Sequence, residues 1–247
     1  EHLPAATRSA DALREVWPDL KMMQTSPPIP QLQPLHTVWV PVFHHFSPPE
    51  RSQEIEAMRQ RGDEIWWYAA DAPHHPYPNF FLDYPVFDCR VVGMLSYVHN
   101  VTGVLYWCIN REWQTNMDSR GQWPGSPWKA HIYSAITGKR KFKNGMGNLV
   151  YPGKDGRLLP SLRLENLRDG LEDHDYLDAL RQAVMEMEAG GRPELLDLLP
   201  EARALLQPPP EVMSGVGDWS HDPAGLMAYR NQVGRMLERI AQAERRR

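Results

Sequence analysis

Glu64-Ile65-Trp66-Trp67-Tyr68-Ala69-Ala70 (EIWWYAA, 64–70) is an apolar run closed by a Pro- and His-rich loop. Aromatic and β-branched side chains suit a pleated, half-buried surface, so the run predicts a strand. Three similar stretches lie around it: Leu20–Thr25 (LKMMQT), His36–Pro41 (HTVWVP) and Thr102–Asn110 (TGVLYWCIN). Helical signals separate them. Ser47 stands where a cap is wanted, Pro48 and Pro49 fit a first turn, and Glu50 supplies the capping-box carboxylate of a helix ending near Arg61 at Gly62. Asp83 is placed to cap a helix over Pro85–His99. Ahead of the first strand, Ala6, Ala10, Leu13 and Trp17 recur at helical spacing until Pro18 stops them.

Strands alternating with helices in this way predict parallel pairing in βα units. The link from Thr25 to His36 carries prolines at 27, 28, 30 and 34 and is too short for a helix, so that unit is degenerate. A long loop then spans Arg111–Pro160, after which Ser161 caps a helix with leucines at 164, 167, 171, 177 and 180, continued by Val184 and Met187. From Gly190 the chain changes character: a short helix near Glu194–Leu206, a Pro208–Pro210 break, and an amphipathic helix over Pro223–Ala243. Arg245–Arg247 follow it, where cations suit the helix dipole. The expected organisation is a βα region over 1–189 and a helical extension over 190–247. On the residues alone, two architectures fit: a small open sheet, or the C-terminal half of a (β/α)8 barrel.

Composition narrows the function classes. A net charge of −4 over 247 residues argues against nucleic acid as a partner. No run approaches the ~20 consecutive apolar residues of a membrane span, and no basic-then-apolar signal opens the chain. Cys89 and Cys108 fit neither a disulfide scaffold nor a zinc spacing. The 23 prolines, well above an average of about 5%, and nine tryptophans predict a rigid, aromatic-rich cleft for something flat.

Three segments carry a family resemblance: Thr102–Trp113 (TGVLYWCINREW), Asn144–Gly153 (NGMGNLVYPG) and Leu159–Leu177 (LPSLRLENLRDGLEDHDYL). Together they are similar to the C-terminal part of the DUF4091 domain, the catalytic region of glycoside hydrolase family 123, and VWVP (38–41) and EIWWYAA fit the same order. The resemblance covers Pro18–Leu180. It implies strands 5 to 8 of a (β/α)8 TIM-type barrel and hydrolysis of β-linked N-acetylhexosamines, N-acetylgalactosamine in the founding activity. It also implies a substrate-assisted retaining mechanism, an exception to the two-carboxylate scheme. The acetamido oxygen attacks the anomeric carbon, an Asp orients it, and the adjacent Glu protonates the leaving oxygen. No metal or organic cofactor is implied. The partners are a carbohydrate substrate and the N-terminal half of the same barrel, in a bacterial parent that is secreted or periplasmic. Counting back from Pro18 puts the Asp-Glu pair upstream of residue 1; Glu1 is the acid only if the first helix is one turn short. Met146 and Thr37 depart from the family pattern, which usually shows Asp at both places.

Sites on such barrels lie where strands end and loops begin. The candidate sugar-binding residues are therefore Trp107, Asn110 and Trp113 after the fourth strand, Tyr68 on the third, and Trp39 and His44 on and after the second. Each has a structural alternative: core packing for Trp107 and Trp39, loop bonding for Asn110, an idle loop imidazole for His44. Trp66, on the face of Tyr68 by alternation, is assigned to the core. His74 and His75 lack the further ligands of a metal site. Arg163, Glu165, Arg168, Asp169, Glu172 and Asp173 read as a structural charge network on one helix, and Gly145 and Gly147 as a tight turn beside Asn144. Asn100-Val101-Thr102 matches a glycosylation sequon without functional weight in a bacterial chain. A non-catalytic carbohydrate-binding or scaffold protein on a degenerate barrel is the alternative function, and an α/β domain whose aromatics are all core is the plainest. A lone half barrel leaves sheet edges unpaired and predicts poor solubility.

Overall fold

The strands pair in parallel and in chain order. The computed structural model describes residues 3–110, 145–153, 155–190 and 193–245. Its main sheet runs β1 (Met23–Gln24), β2 (Val38–Trp39), β3 (Glu64–Ala69) and β4 (Gly103–Tyr106), all neighbours parallel. Parallel neighbours require crossover connections, so the α/β class follows. β1 and β2 are shorter than their apolar runs, yet their ladder extends from Thr37 N–H on Met22 O (3.1 Å) to Val40 N–H on Gln24 O (2.9 Å).

Helix positions follow the sequence more closely than helix caps. α1 (Leu3–Val16) is anchored by Arg14, whose guanidinium donates to Pro34 O at 2.9 Å and Leu35 O at 2.8 Å. α2 (Pro49–Gln60) starts from Pro48 and not Ser47, which instead ends a 3-10 helix over Phe43–Phe46. Pro49 has no N–H to satisfy, and the N–H groups of Arg51 and Ser52 both donate to Pro48 O, at 3.0 and 3.1 Å, without a side-chain cap. α3 (Asp88–Val98) likewise starts from Phe87, because turns occupy the stretch after Asp83 and Pro85 O accepts from Asp88 N at 3.0 Å. Ser161 does cap α4 (Leu162–Glu188), accepting from Leu164 N at 3.3 Å. α5 (Leu199–Ala204) follows a 3-10 helix over Pro193–Leu198. α6 (Pro223–Glu244) is capped by Asp222. Two hairpins lie where the sequence suggested loop: β5 (Val150–Pro152) with β6 (Leu158–Pro160), and β7 (Met213–Gly215) with β8 (Asp218–Trp219).

The chain divides into two compact units. The first, Glu1–Tyr84 with Asn100–Pro160, holds the parallel sheet. On β3, Ile65, Trp67 and Ala69 are buried while Glu64, Trp66 and Tyr68 are half-exposed. Phe43 and Phe46 pack on the Trp67 ring at 4.4 and 5.2 Å. This corrects the core assignment of Trp66. Adjacent strand residues face opposite ways, and it is Trp67 that meets the aromatic layer.

The second unit, Pro85–His99 with Ser161–Arg247, is helical apart from the β7–β8 hairpin. α3 crosses α4 at backbone contact, since a Cβ on Gly93 would sit 1.7 Å from Gly170 O. Arg90 forks onto Asp173 at 2.7 and 2.9 Å, and Arg230 reaches the same carboxylate at 3.5 Å. Asp173 and Arg163, from the charge block, are buried. The buried stripe of α4 runs through Gly170, Asp173, Leu177, Leu180, Val184 and Met187, whereas Leu171 is exposed. Among the described residues no helix is long and apolar enough to cross a membrane.

Candidate active site

One face of the parallel sheet is half-exposed in β3 and β4, and register fixes which residues share it. Trp66 pairs with Gly103 and Tyr68 with Leu105; Val42 bridges to Tyr68 in parallel. Registered neighbours in a parallel ladder project to the same side, so Trp66, Tyr68 and Leu105 form one surface, and alternation adds Trp107. Gly103 is obligatory there, for a Cβ would lie 2.2 Å from the Trp66 ring. Trp107 is 53% exposed, follows β4 directly, and makes a cis peptide with Cys108. Tyr68 and Trp107 thus stand at the carboxyl ends of adjacent strands. The arrangement offers ring faces to stack on a sugar and a phenol to bond its hydroxyl groups.

The opposite end of the same face carries the charge. Lys21 donates to the Glu64 carboxylate, which also accepts from Trp66 Nε1 at 3.3 Å; the lysine bond is the main reason the Glu64 carboxyl lies below its ordinary range. Asp63 accepts from Trp39 Nε1 at 2.8 Å and pairs with Arg61. Asp63 and Glu64 are therefore an adjacent Asp-Glu pair, but at the amino end of β3 and committed to cations.

The loops beyond the strands are clipped into place. After β4, Asn110 bridges to Asn148 in antiparallel fashion, and Leu149 N donates to Ile109 O at 2.8 Å. The returning turn uses Gly145 (φ 72°) and Gly147 (φ 74°), left-handed conformations that glycine adopts without penalty. Gly147 N donates to the Tyr106 hydroxyl at 2.8 Å, and Met146 is buried beside it in sequence. After β3, the buried Asn79 amide donates to Ala70 O at 3.2 Å and Pro73 O at 2.8 Å, and its oxygen accepts from Phe80 N at 2.7 Å. After β2, the 3-10 helix carries His44 and His45, with the Tyr77 ring 5.9 Å from His44. Burial chiefly, then the neighbouring His44, lowers the His45 pKa.

Of the residues singled out from sequence, Tyr68 and Trp107 come together on one face. Asn110 is exposed, two residues past Cys108, and His44 lies after β2, next to Tyr77. Trp39 does not join them. It is fully buried with its N–H given to Asp63, because its register partner is Ile65 on the core-facing side. Glu1, Trp113 and Asn144 lie outside the described residues. His74 and His75 are occupied around Tyr84, whose hydroxyl lies 3.3 Å from His74 Nδ1 and accepts from His75 N at 3.0 Å. Among the described residues no three His, Cys, Asp or Glu side chains converge as metal ligands. Tyr77 and Asn148 escaped the sequence reading; Asn148 stood in the quoted NGMGN motif, whereas Tyr77 had no signal beyond its Pro/His-rich loop.

Comparison with known proteins supplies a family. The model of the glycoside hydrolase 123 catalytic domain matches residues 2–180. No curated protein matches the chain. Among solved structures, a family 123 glycoside hydrolase from Clostridium perfringens, analysed for glycolipid glycan hydrolysis, aligns with a TM-score of 0.50 and 14% identity. The alignment covers 90% of this chain and 35% of the clostridial one, so the chain spans about a third of that enzyme's length. At that identity the likeness concerns the fold.

Proposed function

The chain belongs to the glycoside hydrolase 123 catalytic-domain family, and from that premise we propose that it is the C-terminal half of a (β/α)8 barrel that hydrolyses β-linked N-acetylhexosamines. In this reading residues 1–189 supply strands 5 to 8 with their helices, residues 190–247 a helical extension, and an N-terminal half the remaining strands. The observation that carries it is the shared, half-exposed face of Tyr68 and Trp107 at the strands' carboxyl ends. That is where barrel enzymes build their sites. Tyr68 bonds the acetamido group, Trp107 floors the ring, and Asn110 and His44 exchange hydrogen bonds with hydroxyls; Trp113 is a further stacking candidate on sequence alone.

The reaction is substrate-assisted and retaining. The acetamido oxygen displaces the leaving group at the anomeric carbon, an Asp orients that acetamide, and its neighbouring Glu protonates the departing oxygen. Asp63-Glu64 cannot fill these roles, being at the amino end of β3 and bound to Arg61, Trp39 and Lys21. We place the Asp-Glu pair before residue 1 in a bacterial, exported parent. The test is hydrolysis of an aryl N-acetyl-β-galactosaminide. We expect no turnover from the 247-residue chain and turnover once its upstream sequence is joined to it. Turnover by the chain alone, abolished by Glu1→Gln, refutes the division of labour. Binding without turnover by the longer form favours a carbohydrate-binding protein on a degenerate barrel.

A further inference from the structure

We propose that the second unit carries a ligand site of its own, a cleft between α4 and α6 that takes a hydroxylated carboxylate of the acidic-sugar class. The inference goes beyond the hydrolytic reading and does not rest on it. The cleft has a volume of about 620 Å³, within the range of small-molecule sites and far larger than a single ion needs. Tyr176 of α4 forms one wall. The other comes from α6, where Arg230, Asn231, Gly234, Arg235 and Glu238 follow one another at three- and four-residue steps and so share a face. A mid-helix glycine is a weak helix former, and packing does not demand one here, since a Cβ on Gly234 would meet Tyr176 Cε1 at an ordinary 3.4 Å. What the missing side chain provides is room in the cleft.

The polar groups around the cleft are positioned but uncommitted. The Arg230 guanidinium lies 4.2 Å over the Tyr176 ring, and its Nε stands 3.5 Å from Asp173, a carboxylate already forked by Arg90 at 2.7 and 2.9 Å. That Nε is buried and makes no hydrogen bond among the described residues, nor do the two terminal nitrogens. Asn231, Arg235 and Glu238 are exposed and form no hydrogen bond or ion pair among the described residues, and the Tyr176 hydroxyl makes no hydrogen bond there either. A guanidinium held against a ring with its outer fork open matches the two oxygens of a carboxylate. Arg235 adds a second cation on the same face. Glu238, when ionised, can only accept; it repels a second negative charge and calls for donors, which hydroxyl groups supply. The cleft therefore suits one carboxylate joined to hydroxyl groups better than a phosphate, whose charge at neutral pH approaches −2.

The test is calorimetric titration of the 247-residue chain with glucuronate, glucose and inorganic phosphate. Glucuronate should bind saturably, and glucose, which lacks the carboxylate, about tenfold more weakly or worse. Phosphate should also bind more weakly than glucuronate. Arg230→Lys keeps a charge beside Asp173 but removes the fork, and Arg235→Gln removes an exposed charge without a partner among the described residues. Each should lower glucuronate affinity about tenfold, the scale of one charge-assisted hydrogen bond, and Arg235→Gln should leave the melting midpoint in place. Absence of glucuronate binding, equal binding of glucose, tighter binding of phosphate, or an affinity that survives both substitutions overturns the site. None of these outcomes touches the hydrolase reading.

Discussion

Replacing Gly170 by alanine should cost the second unit about 3–5 kcal/mol, although alanine is the better helix former. The added Cβ would lie 2.2 Å from Arg90 O, 2.9 Å from its carbonyl carbon and 3.1 Å from its Cα, all backbone atoms of α3. None is the end of a flexible side chain, so α3 and α4 must separate by roughly 1 Å to restore an ordinary carbon–oxygen contact. Overpacking of this kind costs about 1–3 kcal/mol, and a rigid backbone neighbour puts Gly170→Ala at the top of that range. Separation also stretches the Arg90–Asp173 fork, now 2.7 and 2.9 Å, around a carboxylate that is 1% exposed. Loosening a buried pair adds about 1–3 kcal/mol, and the alanine propensity returns about 1 kcal/mol. Thermal unfolding followed by circular dichroism should show the midpoint falling by roughly 6–20 °C. Gly93→Ala should do the same, its Cβ being 1.7 Å from Gly170 O. Gly62→Ala serves as control: at φ +93° with nothing within 4 Å, it should cost only about 1 kcal/mol of backbone strain. A Gly170→Ala chain as stable as its parent, or more so, refutes the backbone-contact argument.

Three further outcomes follow from the same packing. Asp173→Ala leaves Arg90 and Arg230 facing a vacated site, and chemical denaturation should report a loss of about 3–5 kcal/mol; less than 1 kcal/mol would show the fork to be dispensable. Burial lifts Asp88 to about 6, so between roughly pH 4 and 6 the folded chain holds a proton that the unfolded chain has released. That contribution lowers stability as pH rises through the window, and its cost is complete above it, so the stability of Asp88→Asn relative to the unmodified chain should increase from pH 4 to pH 7 by about 2 kcal/mol; a pH-independent difference refutes it. Gly103→Ala drives a methyl into the Trp66 ring, 2.2 Å away, and should abolish the saturable tryptophan fluorescence change expected with N-acetylgalactosamine; an unaltered titration would remove Trp66 and its neighbours from the site.

The parallel strands were legible because each carries a β-branched or aromatic run bounded by breakers, and because helices separate most of them. Ser161 was legible as a cap, since it precedes a long apolar period with no competing proline. Ser47 and Asp83 were not. Prolines at 48, 49 and 85 take over the local geometry, and a capping signal read without its proline neighbours overstates the hydroxyl or carboxylate. The two hairpins were invisible because strands of two or three residues are too short for alternation to show. In the candidate site the exchange between Trp66 and Trp67 is instructive. Two adjacent tryptophans satisfy either register, and only the rings of Phe43 and Phe46, brought from another segment, decide which one is core. Trp39 looked like a site residue for the same reason. Its neighbour Asp63 lies 24 positions away, a distance across which sequence periodicity carries no information.

The motif that gives the family away is not a chemical motif. Within LPSLRLENLRDGLED, Ser161 caps a helix, Arg163 is buried, Gly170 admits the backbone of α3, and Asp173 receives Arg90 and Arg230. Every one of these tasks tolerates few alternatives: a larger residue at position 170 collides with main chain, and loss of the acid at 173 strands two guanidinium groups. Tyr68, Trp107 and Asn110, by contrast, sit on exposed ends of strands and loops, where several residue types could hold a sugar. Gly170 and Asp173 fix how two helices lock together, while the proposed sugar contacts lie at the strand ends. Locking two helices together supplies neither a proton donor nor a sugar contact, so activity of this fold depends on its strand ends and is read by hydrolysis.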